Sequence, residues 1–170
     1  PGDAEELRAA VAARLEPTVG LTALGDGLWA TGEVPRATDF EQGGRAFWLD
    51  QQGATSDPLR DDQALVLRVA EGLVVVLGCA HAGVANTLRH VRALLPGLPI
   101  AAVIGGMHLG GASDERIART VAALGAPDIG CVVPTHCTGL RALAALAAGL
   151  GGRCVFGEVG ASFEFAPGAG

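Results

Sequence analysis

Apolar positions in this chain fall into unbroken runs, and each run is followed by a stretch with helical spacing. Leu73, Val74, Val75, Val76 and Leu77 are five apolar residues in a row, closed by Gly78. A short run so rich in β-branched residues predicts a strand buried on both faces. Residues 100–104 and 129–133 repeat the pattern, ending at Gly105-Gly106 and at Pro134. After the first run, Val84, Leu88, Val91 and Leu95 share one helical face until Pro96-Gly97. After the second, Ser113 is the expected N-cap, with Asp114 and Glu115 in the first turn. Ile117, Thr120, Val121 and Leu124 form that helix's buried stripe, and Gly125 closes it. A third helix starts at Thr138 or Gly139 and is expected to bury Leu140, Leu143, Ala147 and Leu150. Residues 72–150 therefore read as βαβαβα.

The first part of the chain reads as short antiparallel pieces. A helix is expected over residues 3–15, capped by Asp3 and striped by Leu7, Val11 and Leu15. Strands over 19–24 and 28–32 flank Gly25-Asp26-Gly27, a hairpin signal. A strand over 46–50 carries Phe47 and Trp48, residues 51–62 form a polar loop, and 64–69 is a further strand. Two last strands, 154–158 and 161–165, complete an α/β chain read as one domain over residues 1–170.

The chemistry collects where the buried runs stop. Three of the four histidines, His81, His108 and His136, lie just after an apolar run, and Cys79 and Cys137 lie in two of the same turns. In open α/β sheets ligands bind outside the carboxyl ends of the strands. His81 and His136 are therefore the first metal-ligand candidates, with Cys79 two residues before His81. The plainer reading is a histidine that bonds a loop carbonyl and a cysteine that fills a tight turn. His108, after two glycines, is a ligand, a donor to an oxyanion, or a loop residue. Arg36 can hold a phosphate or carboxylate, or an ordinary surface ion pair. Asp61 and Asp62 suit loop capping, and His90 falls off the helix stripe, as a surface residue does.

Composition narrows the partners. Twelve basic side chains are all arginine, with no lysine and no tyrosine, and the formal charge is −6. That excludes a Schiff-base lysine and argues against a nucleic-acid footprint. No apolar run approaches the roughly 18 residues that span a membrane. Without a CxxC spacing or a basic leader, reduced thiols and a cytoplasmic location are expected.

Five motifs occur in order: Thr31-Gly32-Glu33-Val34-Pro35-Arg36, Asp62-Gln63-Ala64-Leu65, Gly78 to Thr87 (Gly-Cys-Ala-His-Ala-Gly-Val-Ala-Asn-Thr), Gly105-Gly106-Met107-His108-Leu109 and Thr135-His136-Cys137-Thr138-Gly139. Together they resemble the metallo-β-lactamase-fold hydrolases of the dihydropteroate-synthase-like branch. The resemblance implies an αββα sandwich with a one- or two-metal site at the sheet edge. It makes His136 the last histidine ligand and His81 the ligand after the central strand. Cys79 or His108 is then an added ligand or a substrate contact. Zinc is the expected divalent metal, with iron and manganese as alternatives. The fold's leading His-x-His-x-Asp-His motif is absent from the sequence. The chain is accordingly expected to be a partial domain, with the missing segment or self-association covering exposed sheet.

The first functional expectation is a metal-dependent hydrolase that activates water on an ester or phosphoester of a small molecule, a pterin-like phosphate among the candidates. His81, His136 and Cys79 are its metal ligands, and His108 and Arg36 its catalytic, substrate-side residues. The alternative is a non-catalytic α/β assembly module with weak or no metal binding. A third is a thiol enzyme using Cys137, with His81 or His108 as base.

Overall fold

The buried run at the chain's centre becomes strand β4 (Gly72–Leu77), with five of its six residues buried. The computed structural model describes residues 4–12, 16–42 and 47–168. In chain order its elements are helix α1 (Ala4–Val11), β1 (Thr22–Gly25), β2 (Leu28–Ala30), β3 (Ala64–Val69), β4, α2 (Val84–Leu94), β5 (Ile100–Gly106), α3 (Asp114–Leu124), β6 (Ile129–Thr135) and α4 (Leu140–Leu150). Single 3-10 turns follow β6 at His136–Thr138 and α4 at Gly151–Arg153. The strands form one six-stranded sheet in the order β1-β2-β3-β4-β5-β6. β1 to β4 pair antiparallel, and β4, β5 and β6 run parallel. The hairpin at Asp26-Gly27 and the βαβαβα pattern are both present.

Helices cover one face of the sheet. Val66, Leu73, Val75, Val103 and Val132 pack there against Leu88 and Val91 of α2, Ile117 and Leu124 of α3, and Leu146 of α4. β3 alternates: Ala64 and Val66 are buried beneath the helices, while Leu65 and Leu67 face the other way and are exposed. The opposite face holds a small cluster of Val69, Val74 and Ala102, with Val76 and Ile104 at its edge. The extended segment after α4 crosses part of it, where Ala70 N–H donates to the Ala166 carbonyl at 2.9 Å. Phe163 and Phe165 line a cavity of about 490 Å³ there with Val74 and Ile104. This mixed sheet with helices on one face is the α/β layer pair expected of half an αββα sandwich.

Several expectations need correction. Trp48 makes one isolated bridge, to Ser56, so the described part of 46–50 is no strand; Ala46 lies outside the described residues. Residues 154–158 and 161–165 form no strands; only Cys154 and Pro167 bridge to the sheet, singly. The first helix is seen over Ala4–Val11, and its expected cap Asp3 and last stripe residue Leu15 lie outside the described residues. In α4 the buried face is Ala142, Leu146 and Leu150, and Leu140 is 85% exposed. A segment made almost wholly of Leu and Ala carries no polar face to set its phase. His90 is half-buried, with its Nε2 3.4 Å from the Thr31 carbonyl oxygen.

Candidate metal and substrate site

The parallel strands β4, β5 and β6 deliver their three following loops to one edge. Backbone hydrogen bonds tie those loops together. Gly106 N–H donates to the Gly78 carbonyl at 3.0 Å, and Gly110 N–H to the Cys137 carbonyl at 3.2 Å. His108 N–H donates to the Cys137 sulfur at 3.2 Å, and that thiol lies 3.7 Å from the Cys79 carbonyl oxygen. Close approach explains the glycines. At Gly105, φ is 135°, and a Cβ would strike the Leu77 carbonyl oxygen. Ala80, His108 and His136 hold left-handed backbone, with φ of 50°, 47° and 48°. Non-glycine residues avoid that region at a cost of roughly 1–2 kcal/mol each. Such strain at three positions of one site marks geometry imposed by the surrounding loops.

The histidines and cysteines divide into two adjoining groups. One sulfur each of Cys79 and Cys137 and a ring nitrogen of His136 lie within 4.8 Å of one another. Mixed thiolate and imidazole donors suit zinc, and tetrahedral bonds of about 2.0–2.3 Å put such ligand atoms roughly 3.5 Å apart. These three residues are therefore close enough together to share one metal ion. Burial raises the Cys79 thiol, and the neighbouring Cys137 raises it further. Cys131 and Cys154 are half-buried and lie apart from the site, their thiols also raised by burial.

His81 belongs to the second group. Its ring lies 4.3 Å from that of His108, centroid to centroid, and 5.2 Å from Phe47 in an edge-on contact. So the structure brings Cys79 and His136 together, adds Cys137, and sets His81 against His108. Burial lowers the His108 pKa, and the nearby His81 and Arg116 charges lower it further. The His pair opens on a cavity of about 180 Å³ whose wall includes Arg36, Phe47, Asp57, Pro58 and Arg116.

Arg36 does not point its charge freely into this cavity. Its Nη1 donates to the His81 carbonyl at 2.7 Å and its Nη2 to the Pro58 carbonyl at 3.1 Å. It pins the His81 turn to the 56–59 loop. Asp62 supports the same turn, accepting from Ala82 N–H at 2.7 Å. Asp62 thus caps a loop.

Sequence reasoning passed over Glu41. This side chain is 1% exposed and accepts from Ala85 N–H and Asn86 N–H at 2.8 Å each. It is the anionic cap of α2, supplied from 44 residues away, because Gly83 at the N-cap has no side chain to offer. Asn86 completes the knot, accepting from Ala37 N–H and Thr38 N–H and donating to the Ala82 carbonyl. No local pattern signals a cap from so far away. Arg116 was likewise unflagged, being one of several polar residues on an amphipathic helix.

No family model matches the chain. Over 117 residues it is 33% identical to an uncharacterised protein of Methanocaldococcus jannaschii, covering 68% of this chain and 42% of that protein. Over 96 residues it is 34% identical to the 7,8-dihydropterin-6-methyl-4-(beta-D-ribofuranosyl)-aminobenzene-5'-phosphate synthase of the same organism, covering 56% of this chain and 33% of that protein. In structure it is similar to Tm1679, a metal-dependent hydrolase of the β-lactamase superfamily. The TM-score is 0.73 at 30% identity, over 89% of this chain and 57% of that one. The chain thus spans about a third to somewhat over half the length of these relatives.

Proposed function

This chain belongs to the metallo-β-lactamase superfamily, and from that premise we propose that it provides part of a metal-dependent hydrolase site acting on an ester or phosphoester of a small molecule. The observation that carries the reading is the convergence of Cys79, His136 and Cys137 beside the His81–His108 pair at one sheet edge. Cys79, His136 and Cys137 would hold a divalent metal, with zinc favoured by the donor set. His81, two residues after Cys79, is the further ligand candidate. A metal there would polarise a substrate oxygen and acidify a water.

The chain's own residues supply the rest. His108 lies against the cavity with its neutral form favoured by burial and by neighbouring positive charge. A neutral imidazole is able to accept a proton or coordinate. Arg36 is a positioning residue: its two carbonyl contacts fix where His81 stands. The strained backbone at His108 and His136 holds both rings in place before substrate arrives. A phosphorylated pterin-like molecule is one substrate to try, since one similar protein is named for a dihydropterin phosphate.

The test is metal content per chain, by elemental analysis of protein purified without chelator or metal resin. Wild type is expected to carry near-stoichiometric zinc, iron or manganese, and His136→Ala to lose most of it. Hydrolysis of model phosphoesters is then expected to follow the metal. A wild type that takes up no metal, even when it is supplied, ends this reading for the chain.

A further inference from the structure

Arg116 occupies the first turn of α3 and contributes to the wall of the cavity that His81 and His108 line. Among the described residues its guanidinium has no ion pair and no hydrogen bond, and its Nε is buried without any partner. Nε lies too deep for a water-sized group to reach, so the two Nη groups, which have no partner among the described residues, are the donors open to an acceptor from outside. Other arginines nearby are spoken for. Arg119 pairs with Asp39, Arg141 with Asp114, and Arg36 with the carbonyls of His81 and Pro58. The carboxylate in the cavity wall, Asp57, turns Oδ1 to its own loop, accepting from Leu59 N–H at 2.8 Å. A chain of net charge −6 therefore keeps a locally cationic pocket beside its two histidines.

We propose that Arg116 binds an oxyanion of the substrate, a phosphate or carboxylate group, in this pocket next to His108. The inference rests on the hydrolase reading of the same site and adds the substrate class: a small molecule that carries an anionic phosphate or carboxylate group. The two Nη groups of a guanidinium form a planar fork that matches two oxygens of either group. At about 180 Å³ the cavity takes one such group. A whole drug-sized ligand needs roughly 300 Å³ or more, so the rest of the molecule extends from the mouth. The positive potential of Arg36 draws the anion in, and the free donors of Arg116 hold it.

Equilibrium binding of inorganic phosphate and of acetate tests this, measured by calorimetry on protein as purified and after chelation. The proteins are wild type, Arg116→Gln, Arg116→Lys and the surface control Arg119→Gln. Wild type is expected to bind at least one of the two anions, and the tighter one identifies the group. Arg116→Gln is expected to weaken that binding about tenfold or more, and Arg116→Lys, which keeps charge but loses the fork, by roughly threefold. Arg119→Gln is expected to match wild type. If Arg116→Gln misfolds by thermal melt, the lysine variant alone decides. Wild type that binds neither anion, or binding that Arg116 substitutions leave unchanged, overturns the proposal. Arg116-dependent binding in a protein that takes up no metal supports the oxyanion pocket and counts against the hydrolase reading alone.

Discussion

His108 and His136 are held in left-handed backbone by contacts their neighbours make, and that is visible only residue by residue. Spacing alone marked both as lying after buried strands; it could not show that one ring would face His81 and the other two thiols. The environment of His108 has a consequence for pH. Its pKa is lowered from the ordinary 6.5, first by burial and then by His81 and Arg116, against a weaker opposite pull from Asp62. The unfolded chain therefore takes up this proton at higher pH than the folded one, and the fold gains from a neutral ring. That contribution is whole above about pH 6.5 and is lost as pH falls through the lower folded value. Urea midpoints of metal-free protein are expected to decline below pH 6.5, and His108→Asn, a residue that tolerates left-handed backbone, to flatten that decline. An unchanged slope in the variant would place the effect elsewhere.

At the scale of elements, α2 shows how a helix start can be built from distant sequence. Gly83 has φ 105°, and a Cβ there would run into the Glu41 carboxyl group. The glycine makes room for the carboxylate that satisfies the first amides of the helix. Because the turn carrying His81 leads straight into this helix, Glu41 braces the site as well as the fold. Glu41→Ala is expected to destabilise the chain by about 2–3 kcal/mol, the value of hydrogen bonds to a buried charged acceptor. Hydrogen exchange at the Ala85 and Asn86 amides should rise in that variant. Normal protection there would mean that water or another side chain replaces the cap. By contrast α3 was legible in full, because Ser113 does cap it, accepting from Arg116 N–H at 3.2 Å. α4 was legible in extent but not in phase, since its residues are apolar nearly all round.

The whole molecule has two unlike faces. Helices bury one side of the sheet, while Leu24 is 49% exposed, Leu65 40% and Leu67 36%. Exposed apolar surface of this kind binds hydrophobic dyes in the native state. The 170-residue chain is expected to enhance the fluorescence of anilinonaphthalene sulfonate while still folding cooperatively, and the pair Leu65→Ser with Leu67→Ser to reduce the signal severalfold. A dye signal indifferent to that pair would locate the binding in another cavity. No helix among the described residues is long and apolar enough to cross a membrane.

The sequence by itself determined the strand and helix order of residues 72–150, the hairpin before it, and the placing of three histidines and two cysteines after strands. Those features are local: a run of β-branched residues, a 3.6-residue period, a serine before two acids. The tertiary structure alone decided how those residues group: Cys79 with His136 and Cys137, His81 with His108, and the Arg116 guanidinium without a partner among the described residues. It also decided that Arg36 braces a turn and that Glu41 caps α2. Such facts depend on which groups meet at sequence separations of 29 or 45. Periodicity fixes which face a residue takes, while strand register and loop closure fix its neighbours.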